Sequence, residues 1–85
     1  MNLQELIEYI NTGDEIEFTF NGKQYSITYW YPDDNESNRW ISFCEFYQET
    51  TEVRTAEELW NEVSRNGVTV GEMLSSLDHN QISIF

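Results

Sequence analysis

Cys44 and His79 are the chain's one thiol and one imidazole, so nucleophilic chemistry would have to begin with them. A Cys–His pair works when the imidazole lies within hydrogen-bond reach of the sulfur and holds it as thiolate. Neither local sequence favours that. Cys44 stands in Arg39–Tyr47, RWISFCEFY, close to Phe43 and Phe46, the usual setting of a small packed hydrophobe. His79 falls in Leu77-Asp78-His79-Asn80, which reads as a solvated loop with no nucleophile assigned to it. The expectation is a non-enzyme with no catalytic residues.

Metal and phosphate chemistry fare similarly. One histidine and one cysteine cannot supply a zinc site. Asp33-Asp34-Asn35-Glu36-Ser37 places oxygen groups at Asp33, Asn35 and Ser37, the first alternating positions of a calcium loop. The glycine and the bidentate glutamate such a loop needs are replaced by Asn38 and Cys44. The glycines, Gly13, Gly22, Gly67 and Gly71, are scattered singly, so no phosphate-cradling loop forms. No metal and no cofactor are expected.

What remains is charge. Sixteen acids against four bases give a formal charge of −12 over 85 residues, which argues against binding nucleic acid or anionic membranes directly. The acids are distributed over the predicted elements rather than gathered in a tail. Asp33, Asp34 and Glu36 crowd one loop, flanked by Trp30, Tyr31 and Trp40; Glu15 and Glu17 share a strand face, about 6.7 Å apart. Glu45, Glu49 and Glu52 follow the third strand, and Glu57, Glu58 and Glu62 share the wet side of a helix, where Arg65 can offset Glu62. Some of this has a local reason, since acids in a first helical turn favour the helix dipole, and an acidic surface also keeps a small protein soluble.

A rigid domain bearing ordered carboxylates can also imitate a nucleic-acid backbone, which presents about one charge per 1.7 Å of duplex axis. The binding residues expected on that reading are Asp33, Asp34 and Glu36. Glu15, Glu17 and Glu45 are secondary contacts, and Trp30 and Trp40 are desolvated anchors. The partner would be a basic, nucleic-acid-handling protein. The alternative is a protein–protein interaction or regulatory module that docks through Trp30, Trp40 and Phe46.

The elements that must position these groups start from Glu15–Tyr31, EIEFTFNGKQYSITYWY. Asn21-Gly22 predicts a type I′ hairpin turn, because both residues tolerate positive φ. With Phe20 and Lys23 flanking the turn, Phe18 faces Tyr25 and Ile16 faces Ile27. One hairpin face is then apolar, and the other carries Glu15, Glu17, Thr19, Gln24, Ser26 and Thr28. Before it, Asn2 caps a helix from Leu3 to about Asn11, with Leu3, Leu6, Ile7 and Ile10 as its stripe. After it come a polar loop at residues 32–38 and a third strand at 39–47. Gln48–Arg54 reads as a second polar loop.

Thr55-Ala56-Glu57-Glu58 predicts a capping box opening a helix to about Asn66, with Gly67 just past its end. A short helix from Thr69 or Val70 to Leu77 and a strand at 81–85 complete the chain. The sum is one α+β domain over residues 1–85, with a three- or four-stranded, mostly antiparallel sheet and helices on one face. The acidic start, MNLQELIEYIN, lacks a signal-peptide n-region, and no apolar run approaches the ~20 residues that span a bilayer. A cytoplasmic location is expected.

The layout MNLQELIEYINTGDEIEFTFNGKQYSITYW, then RWISFCEFY and TAEELWNEV, resembles small uncharacterised proteins of Gram-positive bacteria and their phages. In size and acidity the chain is also similar to anti-CRISPR proteins, several of which imitate DNA. That resemblance implies an inhibitor of an RNA-guided nuclease, whose Lys/Arg-rich channel takes nucleic acid. It carries over no individual residue.

Overall fold

The computed structural model describes residues 1–33, 38–46 and 48–85. It is α+β, built as a five-stranded antiparallel sheet with three helices against one face and a two-stranded ribbon beside them. The elements in chain order are α1 (Leu3–Asn11), β1 (Ile16–Phe20), β2 (Lys23–Trp30), β3 (Trp40–Glu45) and β4 (Thr50–Val53). Then follow α2 (Ala56–Glu62), β5 (Ser64–Arg65), β6 (Val68–Thr69), α3 (Val70–Ser76) and β7 (Ile82–Ile84). The main sheet runs β4-β3-β2-β1-β7.

The hairpin has its expected register, with Phe20 opposite Lys23, Phe18 opposite Tyr25 and Ile16 opposite Ile27. Asn21 and Gly22 both have positive φ, 51° and 77°. The last strand lies on the outside of β1, where Glu15 and Phe85 exchange backbone hydrogen bonds. Alternation then sorts the sheet. Ile16, Phe18, Tyr25, Ile27, Ile41, Phe43, Val53 and Ile82 are buried under the helices, with Leu6 and Ile10 of α1, Leu59 of α2 and Met73 and Leu74 of α3 packed on them. At the centre, Tyr25 stacks on Phe43 (centroids 5.4 Å apart) and on Phe18 (5.5 Å).

Two expectations fail, each for an identifiable reason. Gln48–Arg54 is not all loop. Thr50–Val53 pairs with β3 as an edge strand, its β-branched Thr50, Thr51 and Val53 outweighing the polar flanks. The main sheet therefore has five strands where three or four were expected. The second helix stops at Glu62, with Val63 already extended, because Asn66-Gly67 closes a second hairpin rather than ending a helix. Its φ values, 55° and 81°, repeat those of the first Asn-Gly turn.

The caps explain where the helices begin. Asn2 and Glu5 form a reciprocal capping box on α1, as Thr69 and Glu72 do on α3. Thr55 accepts from the Glu58 N–H, but the Glu58 carboxylate takes the Arg54 N–H instead of completing the box.

Candidate functional site: the open face of the sheet

The helices cover one side of the sheet and leave the other to solvent. Reading across the strands, the register lays that open face out in rows. One row is Ser83, Glu17, Ser26, Cys44 and Thr50. The next, one step along, is Glu15, Thr28, Ser42 and Glu52, acidic at both ends with hydroxyls between. Glu15 and Glu52 sit three strand spacings apart, about 14–15 Å. At one end of the face Trp30 pairs with Trp40, and the Arg54 guanidinium lies over the Trp40 ring, 3.8 Å from its centroid. Phe46, bonded through its N–H to Gln24, marks the other end.

The floor of this face is made of short side chains, so it is shallowly concave. A cleft of about 120 Å³ opens between Glu17, Thr19, Gln24, Phe46, Gln81 and Ser83. A larger one, about 320 Å³, opens between Thr28, Trp30, Ser42, Cys44, Thr50 and Glu52. Ser26, between them, is almost fully buried, and its Oγ is 3.3 Å from Cys44 Sγ. Cys44 is thus a half-buried member of a polar floor, where the sequence suggested a packed hydrophobe. An aromatic-rich strand has its rings at opposite ends of the open face and its smallest side chains between them.

The site residues expected from sequence do not all come together. Glu15, Glu17, Trp30 and Trp40 share the open face. Asp33, at the exposed end of the β2–β3 connection, accepts from Asn38 Nδ2 at 3.3 Å. Asp34 and Glu36 lie outside the described residues. Glu45 points to the other side of the sheet, opposite Tyr25 and beside Arg65, because it is one residue out of phase with Cys44. Glu52 and Thr50 were missed as site members, and the run of β-branched residues around them was the signal that placed them on a strand.

The arginines make most of their described contacts with groups other than carboxylates. Arg39 donates to the Ile10 carbonyl at 2.9 Å, satisfying the C-terminal end of α1, and lies over the Tyr29 ring at 5.0 Å. Arg54 adds bonds to Asn38 and the Arg39 carbonyl to its stacking on Trp40. Arg65 donates to Thr51 Oγ1 at 2.7 Å and lies over Phe43, rather than pairing with Glu62 as expected. Among the described residues no arginine forms an ion pair with Glu15, Glu17, Glu52 or Glu62, and Lys23 stands exposed at the hairpin tip.

Cys44 and His79 are not brought together. Cys44 belongs to the open face, whereas His79 Nε2 is 2.9 Å from Glu5 Oε2 on α1, which packs on the buried face. Hydrogen bonding from the Asn2 backbone, with a further bond from His79, holds the Glu5 carboxyl below its ordinary value. Among the described residues no cluster of three or more His, Cys, Asp or Glu is placed to hold a metal, and no helix is long and apolar enough to cross a membrane.

Tyr29 links the site to the core. Its hydroxyl donates to the Asp14 carbonyl at 2.6 Å, and burial pushes the phenol up to about 12 despite Arg39. A raised phenol pKa means the fold favours the neutral form, so this contribution is intact below pH 10 and lost as pH rises through about 12. We expect alkaline titration followed at 295 nm to show late-ionising tyrosine, with one late step removed in Tyr29→Phe. Burial also raises the Tyr25 phenol, with Glu45 adding to it, so a second late step remains. A Tyr29→Phe titration indistinguishable from the parent would contradict this assignment.

No family model, curated protein or solved structure matches this chain.

Proposed function

We propose that this chain is a non-catalytic inhibitor that occupies the nucleic-acid groove of a basic protein by presenting carboxylates in place of phosphates. An RNA-guided nuclease is the specific target we infer. One observation carries the reading: Arg39, Arg54 and Arg65 lie over the protein's own rings and donate to its backbone and polar side chains, so that among the described residues Glu15, Glu17 and Glu52 have no arginine ion pair. Glu15 and Glu17 are held on or beside a paired strand, so docking them against Lys and Arg orders little that is mobile beforehand. Asp33 is exposed three residues past Trp30, and Asp34 and Glu36 follow it in the sequence.

The test is inhibition of DNA cleavage by a guide-loaded nuclease, repeated over a salt series and with competing duplex. Inhibition should fall steeply with salt, and competing DNA should relieve it. Combining Asp33→Asn, Asp34→Asn and Glu36→Gln with Glu15→Gln and Glu17→Gln should weaken it at least tenfold. Each such surface change is expected to alter stability by about 0.5 kcal/mol or less, and a thermal melt checks that the combined variant folds. A partner held equally well at low and high salt, and unaffected by DNA, would sink the charge-mimic reading.

A second reading has its own observation. Trp30 is 50% exposed on a face that, among the described residues, no helix covers. A regulatory module docking through Trp30, Trp40 and Phe46 would bind with little salt dependence and lose affinity on Trp30→Ala rather than on the acid changes.

A further inference from the structure

The larger cleft on the open face has a specific chemical character. Its polar lining is Glu52, Thr28, Ser42 and Thr50, all able to accept hydrogen bonds, and one wall is the exposed Trp30. Among the described residues no cation pairs with Glu52. The chain itself shows what suits such a surface, because each of its three arginines lies over an aromatic ring, with Cζ 3.8–5.1 Å from the centroid. Arg54 does so on Trp40, the cross-strand neighbour of Trp30. Trp30 offers a ring in the same row with no guanidinium of this chain on it. An anion would meet Glu52 and a net charge of −12, and an apolar group would desolvate three hydroxyls without pairing them.

We propose that this cleft is a guanidinium pocket, receiving one arginine side chain of the protein partner. The planar fork donates to Glu52 and to the Thr28 and Ser42 hydroxyl oxygens, while its face lies on the Trp30 indole. Lysine has a single compact charge and no planar face to stack, so it fits less well. This deepens the charge-mimic reading, on which it rests for a basic partner, by naming the residue type that anchors it.

The experiment is an NMR titration of the intact chain with N-acetyl-arginine amide, following the Trp30 indole N–H and the Ser42 amide. The lysine and citrulline analogues serve as comparators. Saturable shifts are expected with arginine in the millimolar range, weaker with lysine and absent with the uncharged citrulline. Glu52→Gln should weaken arginine binding about fivefold, and Trp30→Ala should remove saturation. Both variants change exposed side chains, and a thermal melt confirms that they fold. Shifts that do not saturate, or that are the same with citrulline or in both variants, overturn the pocket. If that happens while nuclease inhibition still yields to salt and DNA, charge mimicry stands and its anchor lies elsewhere. If arginine binds as expected but no nucleic-acid-handling partner is inhibited, the pocket stands and the mimic reading falls.

Discussion

Phe43→Ala is expected to cost about 3–5 kcal/mol, the range for removing a buried aromatic ring from a core. Phe43 is fully buried at the middle of the sheet, stacked on Tyr25 and 6.4 Å from the Phe18 ring, with Arg65 Cζ 5.1 Å from its centroid. Neighbouring side chains cannot collapse into the space without breaking that stack. For a domain of this length the total stability is about 4–13 kcal/mol, so the variant keeps a fraction of it or none. At ~4–8 °C per kcal/mol, thermal melting should show a midpoint lowered by roughly 12–40 °C. A shift of only a few degrees would mean that the ring trio is not the centre of the core.

Gly71→Ala is the second large effect, and it acts by overfilling. Gly71 is buried at the start of α3, where a Cβ would lie 2.6–2.8 Å from the Trp60 indole of α2. A real Cβ essentially never makes so short a contact, and the half-buried indole is a rigid plate, so either the ring rotates away or α2 and α3 shift apart. The expected loss is about 1–3 kcal/mol, although alanine is the better helix former by about 1 kcal/mol. Urea denaturation gives the value directly. A neutral or stabilising result would show that the indole has room to rotate. Trp60→Leu in the same background should recover part of the loss, which a purely local backbone effect at residue 71 would not allow.

These two positions also provide a control for the proposed site. Both act on the helix-covered side, whereas Trp30, Glu52, Glu15 and Glu17 lie on the other. Below its melting midpoint, Gly71→Ala should reduce the amount of folded protein without altering how the folded fraction binds. A change in intrinsic affinity would place part of the contact surface on the helices, where Glu57, Glu62 and Glu72 are also exposed.

The local signals were strong enough to be read without a structure wherever one short stretch contained the whole physical cause. Asn21-Gly22 between two alternating runs fixed a turn, a register and two faces, because positive φ at both residues leaves the chain few other options. Asn2 and Thr55 marked helix starts because their side chains bond to backbone three residues away. Composition alone set the acidic excess.

The tertiary structure decided what depended on partners distant in the chain. Thr50–Val53 carries too few residues to announce a strand, and only the free edge of β3 makes it one. Asn66-Gly67 could end a helix or close a hairpin, and the choice went to the hairpin, whose β5–β6 pair leads directly into α3 at Thr69. The arginines could equally have neutralised nearby carboxylates such as Glu62; the rings of Tyr29, Trp40 and Phe43 took them instead. That choice, made by packing, leaves Glu52 and Trp30 facing one cleft with no cation among the described residues paired to Glu52.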